Sequence, residues 1–197
     1  MDKIIWCNSV ELLLSRYCDE SAARESMHRL AFYQHKKWIS YFQIPIIVCS
    51  ALSGSIQFFS KSFPAVEEHI ITGTASLSIL TSLLSAVMSY LKIGERMTRN
   101  EQALIGWQNF YNHIKHQLSL SREQREAPDE FMGWVKNTYE RLFELSPVIS
   151  QKFINKTKQK IKKYGDGDFL VPNYLNGLSH TRAFHEVRVI DDEKHSD

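Results

Sequence analysis

Charge is missing from two long stretches of this 197-residue chain, Trp38 to Ser60 and Ile70 to Leu91, and only Lys61 to His69 separate them. A helix needs about 20 residues to cross the hydrocarbon core of a bilayer, and each stretch is long enough to do so with some tilt. Core helices of water-soluble bundles carry a polar stripe with charges every turn or two, and neither stretch has one. The pair therefore predicts a helical membrane hairpin. The three cysteines, Cys7, Cys18 and Cys49, lack metal-ligand spacing and are too few for a disulfide framework. Cys49 falls in the first apolar run, where a thiol acts as a small apolar group, and Cys7 and Cys18 suit a reducing, cytosol-facing location.

Catalytic signatures are also missing. The chain has no phosphate-binding glycine loop, nucleophile elbow or paired catalytic motif, which predicts a non-enzymatic protein without cofactor or catalytic residues. Of the eight histidines, His113 and His116 come nearest to metal spacing, but no third ligand follows at a recognisable interval. Asp166, Gly167 and Asp168 start like a calcium loop, and the remaining ligands are missing. No bound metal is expected. Nor does a cleavable secretory signal open the chain: a charged, helix-like segment precedes the first apolar run, which is expected to remain as an anchor.

The formal net charge is +2 and the mean hydropathy is −0.31, so most of the chain is polar and its balance argues against a nucleic-acid partner. Position matters more than total. Lys36 and Lys37 precede the first run, and Lys92, Arg96 and Arg99 follow the second, whereas the connection holds Lys61 against Glu67 and Glu68. The bias of Lys and Arg toward the cytoplasmic side predicts both termini in the cytoplasm and an external loop with Phe63 and Pro64 at its turn. Trp38, Tyr41, Phe42, Phe58, Phe59 and Tyr90 crowd the run ends, as interfacial aromatics do.

The resulting division is an N-terminal amphipathic helix over 1–37, a first span over 38–60, a loop over 61–69, a second span over 70–91, a cytoplasmic helical region over 92–164 and an irregular acidic tail over 165–197. The fold class expected is all-α: a two-helix transmembrane hairpin with long helices continuing into a cytoplasmic bundle. Apolar positions at Ile93, Met97, Leu104, Trp107, Tyr111, Ile114 and Leu118 step by three and four once Asn100 is included, and backward the register takes Tyr90, Ala86, Leu83, Ile79 and Ser76. It predicts one unbroken helix from the second span onward, with Asn100 at the seam or at its wet edge. Trp6, Val10, Leu13, Tyr17 and Leu30 mark the packing face of the N-terminal helix. A further helix is expected from Pro128 to Leu145, with Phe131, Val135, Thr138, Leu142 and Leu145 inward.

Two features go beyond a plain anchor. The second span is rich in hydroxyls, and Ser78, Ser82 and Ser85, with Ser50 and Gly54 in the first span, form small-residue faces. Such faces let helices approach closely, within the hairpin or between copies, or line a pore. Pro45 marks a bend near the start of the first span. The second feature is a lysine run, Lys152, Lys156, Lys158, Lys160, Lys162 and Lys163, with no acid between Ser146 and Tyr164. It can meet anionic lipid headgroups, nucleic acid or an acidic protein face, or remain a solvated helix surface; interleaved aromatics for base stacking are nearly absent.

Trp6, Glu11-Leu12-Leu13, His28, Tyr33, Ile44-Pro45-Ile46-Ile47 with Ser50 and Gly54, and Trp107, Phe110, Tyr111 and Ile114 together resemble the SLATT group of two-transmembrane proteins, over about residues 5 to 150. The resemblance is nearest to the stand-alone variants of large DNA viruses that build an internal membrane. It implies a structural protein of a virion's inner membrane, a homo-oligomer contacting other membrane or capsid proteins. Bacterial members imply the alternative, an oligomeric pore-forming effector.

Overall fold

The computed structural model describes residues 5–59 and 67–165; most of these are helical, and no strand occurs among them. Five helices follow in order: α1 Asn8–Phe59, α2 Glu67–Tyr90, α3 Ile93–Ser119, α4 Pro128–Leu145 and α5 Gln151–Tyr164, with a 3-10 turn at Arg122–Gln124 before α4. Ser60 at the end of the first expected span, residues 61–66 of the expected loop with Phe63 and Pro64, and the acidic tail from 166 with its Asp166 to Asp168 segment lie outside the described residues; the last loop positions, 67–69, instead open α2.

α1 runs without interruption through the boundary expected at residue 37, joining the N-terminal helix and the first apolar run into one element. Helix-forming residues such as His35, Lys36 and Lys37 leave nothing there to stop it. Pro45 lies inside α1. Having no N–H, it cannot bond the carbonyl of Tyr41. α1 lies antiparallel to α2 and α3 in a single register: Cys18 meets Tyr111, His28 meets Asn100 and Ser53 meets Thr74.

The unbroken helix expected from the second span onward is interrupted. Lys92 sits in the left-handed region at φ 49°, ψ 37°, the only non-glycine residue with positive φ among those described, and its N–H reaches only the Ser89 carbonyl. The turn re-phases the packing stripe. In α2 the covered positions are Ile70, Thr74, Leu77, Thr81, Leu84 and Met88. In α3 they are Ile93, Asn100, Ala103, Trp107, Phe110, Ile114 and Gln117, out of step with a simple continuation. Tyr90, Leu83 and Ile79, expected on the seam, are exposed. Lysine is a poor left-handed former, so the nearest sequence sign is the helix-weakening Gly94.

Half of the α3 stripe also differs from expectation. Ala103, Phe110 and Gln117 are buried where Leu104, Tyr111 and Leu118 were expected, because α3 is packed by α1 on one side and α4 on the other. In α1 the inward leucine is Leu14, fully buried, while Leu13 is exposed. Leu145 of α4 is exposed too. The core joins Leu14 and Cys18 of α1, Trp107, Phe110 and Ile114 of α3, and Phe131, Val135 and Leu142 of α4. Gly106 permits the approach of α4: a Cβ there would lie 2.5 Å from Leu142 Cδ2. α5 closes on α1 through Ile154 and Ile161 against Ala23 and Met27.

The ends of this packed part are fastened by charge. Glu11 accepts from Arg122 Nε at 2.8 Å and from Arg125 Nη1 at 2.6 Å, tying the start of α1 to the turn before α4. Hydrogen bonds from Arg122 and then Arg125 hold the Glu11 carboxyl at about 2, far below its ordinary 4.5. A lowered carboxylate pKa stabilises the fold fully above the unfolded value and loses that contribution as pH falls toward the native one. The helical part is therefore expected to lose stability between about pH 4.5 and 2, and Glu11→Gln to flatten that limb of a circular-dichroism titration, at a cost of about 1 kcal/mol near neutrality because the pair is partly solvated.

Candidate functional site: the apolar hairpin and its polar seam

Away from the packed part, along the second half of α1 and along α2, the character of the surface changes. α1 and α2 each contain a stretch long and apolar enough to cross a membrane, and only 6% of either stretch is buried. Ile44 and Ile47 of α1 are each 60% exposed, and Ile79 and Leu83 of α2 are 71% and 61% exposed. Trp107, in the same chain, is fully buried. Apolar burial contributes about 25 cal/mol per Å², so this surface would be strongly unfavourable in water.

Within the hairpin the contact is made by hydroxyl residues other than those expected. Ser53, Thr74 and Thr81 are the buried ones, and Ser53 Oγ donates to the Thr74 carbonyl at 3.4 Å. Ser50, Gly54, Ser78, Ser82 and Ser85 are all exposed, and nothing lies within 4 Å of the place a Gly54 Cβ would take. The four-residue spacing of small side chains selected a face turned away from the partner helix, since the closer packing of threonine and leucine sets the inner face. The outward hydroxyls are not all seeking water: Ser82 donates to the Ser78 carbonyl at 2.8 Å, Ser76 to the Thr72 carbonyl at 2.9 Å and Thr72 to the Glu68 carbonyl at 2.9 Å. Hydroxyls bonded to their own helix are compatible with an apolar surrounding.

Below the hairpin, Asn100 occupies the seam and is buried. Its Nδ2 donates to the Arg96 carbonyl at 2.7 Å, leaving Oδ1 to accept from His28, whose Nδ1 lies 3.1 Å away. His28 Nδ1 therefore carries the proton in the neutral ring. Sequence reasoning placed Asn100 at the seam or its wet edge and gave His28 no partner, because the two are distant in sequence. Burial lowers the His28 pKa; the Asn100 bond opposes that shift and the Arg24 charge adds to it. An imidazole favoured as neutral in the fold loses stability as pH drops below the unfolded value near about 6.5, until the lowered native value is passed. Thermal unfolding of the detergent-solubilised protein is expected to show this decline, and His28→Gln to reduce it, leaving the part that belongs to His35, whose pKa is also lowered, by burial and then by the Arg96 charge.

Arg24 stands between this pair and the aromatic core. Its guanidinium lies 5.0 Å from the Trp107 ring centroid and 4.8 Å from that of Phe143, and it pairs with Glu20 at 2.8 Å. Tyr139 donates to the same Glu20 oxygen at 2.6 Å. Burial, then that bond, raises the Tyr139 pKa. Burial also lifts the Cys18 thiol to about 12, so it is a packing group with little thiolate character. His113 lies 4.4 Å from the Trp134 ring and 3.6 Å from Glu126; among the described residues no three potential ligands converge on a metal position.

Lys152, Lys156, Lys160 and Lys163 share one side of α5, and Lys158 and Lys162 lie on another. Lys152, Lys156, Lys160, Lys162 and Lys163 are exposed and Lys158 is half-buried, with Phe153 and Thr157 turned inward. Comparisons of the chain with protein-family models, curated proteins and solved structures found no match.

Proposed function

We infer that this chain is a non-enzymatic integral membrane protein whose hairpin crosses the bilayer twice and holds a helical bundle at one membrane face as a structural, scaffolding component. One observation carries the reading. The two apolar stretches remain uncovered in a chain in which the first half of α1 joins α3 and α4 in a closed aromatic core, which is what a protein partitioned between lipid and water requires. Basic residues flanking both apolar stretches support an orientation with the bundle and both termini on the cytoplasmic side. The SLATT-like features suggest the inner membrane of a virion, with the bundle facing a protein shell, and homo-oligomers assembled through the outward face of Ser50, Gly54, Ser78, Ser82 and Ser85.

The pore-forming alternative draws on that same hydroxyl face. It is less favoured because hydroxyls such as those of Ser76 and Ser82 are bonded to their own helix and no charged ring lies within either stretch. Reconstituted protein is expected to leave a small dye trapped in liposomes. Dye release that disappears in Ser78→Leu/Ser82→Leu would replace the scaffold with the pore. Membrane integration itself is checked by alkaline carbonate: the protein should stay in the membrane pellet, and release into the supernatant would contradict the hairpin.

A further inference from the structure

A groove of about 600 Å³ lies where α5 begins against α1. Tyr33, Lys37, Trp38 and Phe42 line it from α1, and Lys152 and Lys156 from α5. It has a basic half and an aromatic half, and no carboxylate lines it. Among the described residues none of the three lysines is in an ion pair. Lys37 is instead held over the Tyr41 ring, 5.6 Å from its centroid, and Trp38 stacks on Phe42 at 5.9 Å. α5 starts at this point, after Ser150, whose side chain makes no capping bond, so the positive end of its dipole adds to the lysines.

The groove also has a fixed height in the molecule. Trp38 opens the first uncharged run, so the aromatic half meets the apolar hairpin surface and the lysines stand just beyond it. Cations above an aromatic floor at the boundary of lipid and water complement an anionic headgroup whose acyl chains continue along an apolar helix.

The geometry points to a binding site for an anionic glycerophospholipid, with its headgroup phosphate between Lys37, Lys152 and Lys156 and its chains against Trp38 and Phe42. It rests on the membrane reading above and assigns a ligand to two of the six lysines on α5, leaving the others as solvated charge. Each lysine near such a surface contributes about fivefold in affinity.

The test uses the full chain reconstituted in phosphatidylcholine vesicles carrying a small fraction of brominated-acyl phosphatidylserine, or the same fraction of brominated-acyl phosphatidylcholine, with tryptophan quenching as the readout. Half-maximal quenching is expected at a brominated phosphatidylserine fraction lower by at least about fivefold, the contribution of a single lysine. Lys37→Gln/Lys152→Gln/Lys156→Gln should abolish the preference, and the charge-matched Lys136→Gln/Lys158→Gln/Lys162→Gln should keep it. Equal quenching by the two lipids, or equal loss in both variants, would overturn the site while leaving the hairpin intact. Loss of the preference on adding inorganic phosphate would assign the groove to free phosphate and overturn the lipid. Protein that fails to float with pure phosphatidylcholine vesicles would overturn the membrane reading and the site with it.

Discussion

Replacing Trp107 with alanine is expected to cost about 3–5 kcal/mol and to dissolve the packing of α1, α3 and α4. The indole is fully buried, donates from Nε1 to Ser146 Oγ at 2.9 Å, and meets Tyr139 and Phe110 edge-on at 5.6 and 6.1 Å. Removing it leaves a cavity lined by rings, a Ser146 hydroxyl that keeps only its bond to the Leu142 carbonyl, and an Arg24 guanidinium that has lost one of its aromatic neighbours and keeps Phe143 and Tyr139. These losses share partners, so they do not add independently. Ile105→Ala, two residues away on the exposed side of α3, is expected to change stability by no more than about 0.5 kcal/mol. Near-ultraviolet circular dichroism and thermal unfolding in detergent compare the two. Trp107→Ala should lose the aromatic signal while far-ultraviolet helicity largely remains, because the apolar second half of α1 and all of α2 lie outside that core.

The second large effect belongs to the other solvent. Ile79 and Leu83 are among the most exposed apolar residues of α2 and lie near its middle. On a surface in water, arginine at either position would change stability by about 0.5 kcal/mol or less. At the centre of a membrane-spanning helix each arginine costs about 2.5–3.5 kcal/mol, so Ile79→Arg/Leu83→Arg is expected to cost about 5 kcal/mol or more and to block insertion of α2. A membrane-insertion assay with a glycosylation acceptor placed beyond α2 reads this directly. The parent should cross twice, and the double variant should leave its second segment on the wrong side.

Much of the architecture was legible because the strongest signals were local. Absence of charge from 38 to 60 and from 70 to 91 marked the two apolar helices, and Pro128 marked the start of α4, which runs Pro128–Leu145. The rotation of each helix was less legible. Leu13 and Leu14 are adjacent and equally apolar, and only the partner α3 decides that Leu14 turns inward. The Lys92 turn was hidden because lysine gives no sign of a positive φ, and a three-four pattern can be traced across the turn even though the packed stripe shifts there. The site was hardest to read for the same reason: small residues four apart identify a face on which helices could meet, but cannot distinguish the face used by Ser53 and Thr74 within the hairpin from the one left outward. Pairings such as His28 with Asn100 and Glu11 with Arg122 and Arg125 join distant positions, and only the fold brings them together.

Depth measurement on the reconstituted protein bears most directly on whether the hairpin lies in lipid. Spin labels placed singly at Ile44, Val48, Leu52 and Ile56 of α1, and at Ile71, Ile79 and Val87 of α2, all half-exposed or thereabouts, report their access to oxygen and to a water-soluble nickel chelate. If the hairpin crosses the bilayer, oxygen access should peak and nickel access should fall to a minimum toward the middle of each helix. Nickel access that is uniform along both helices, at the level found for a label on the exposed surface of α3, would contradict it.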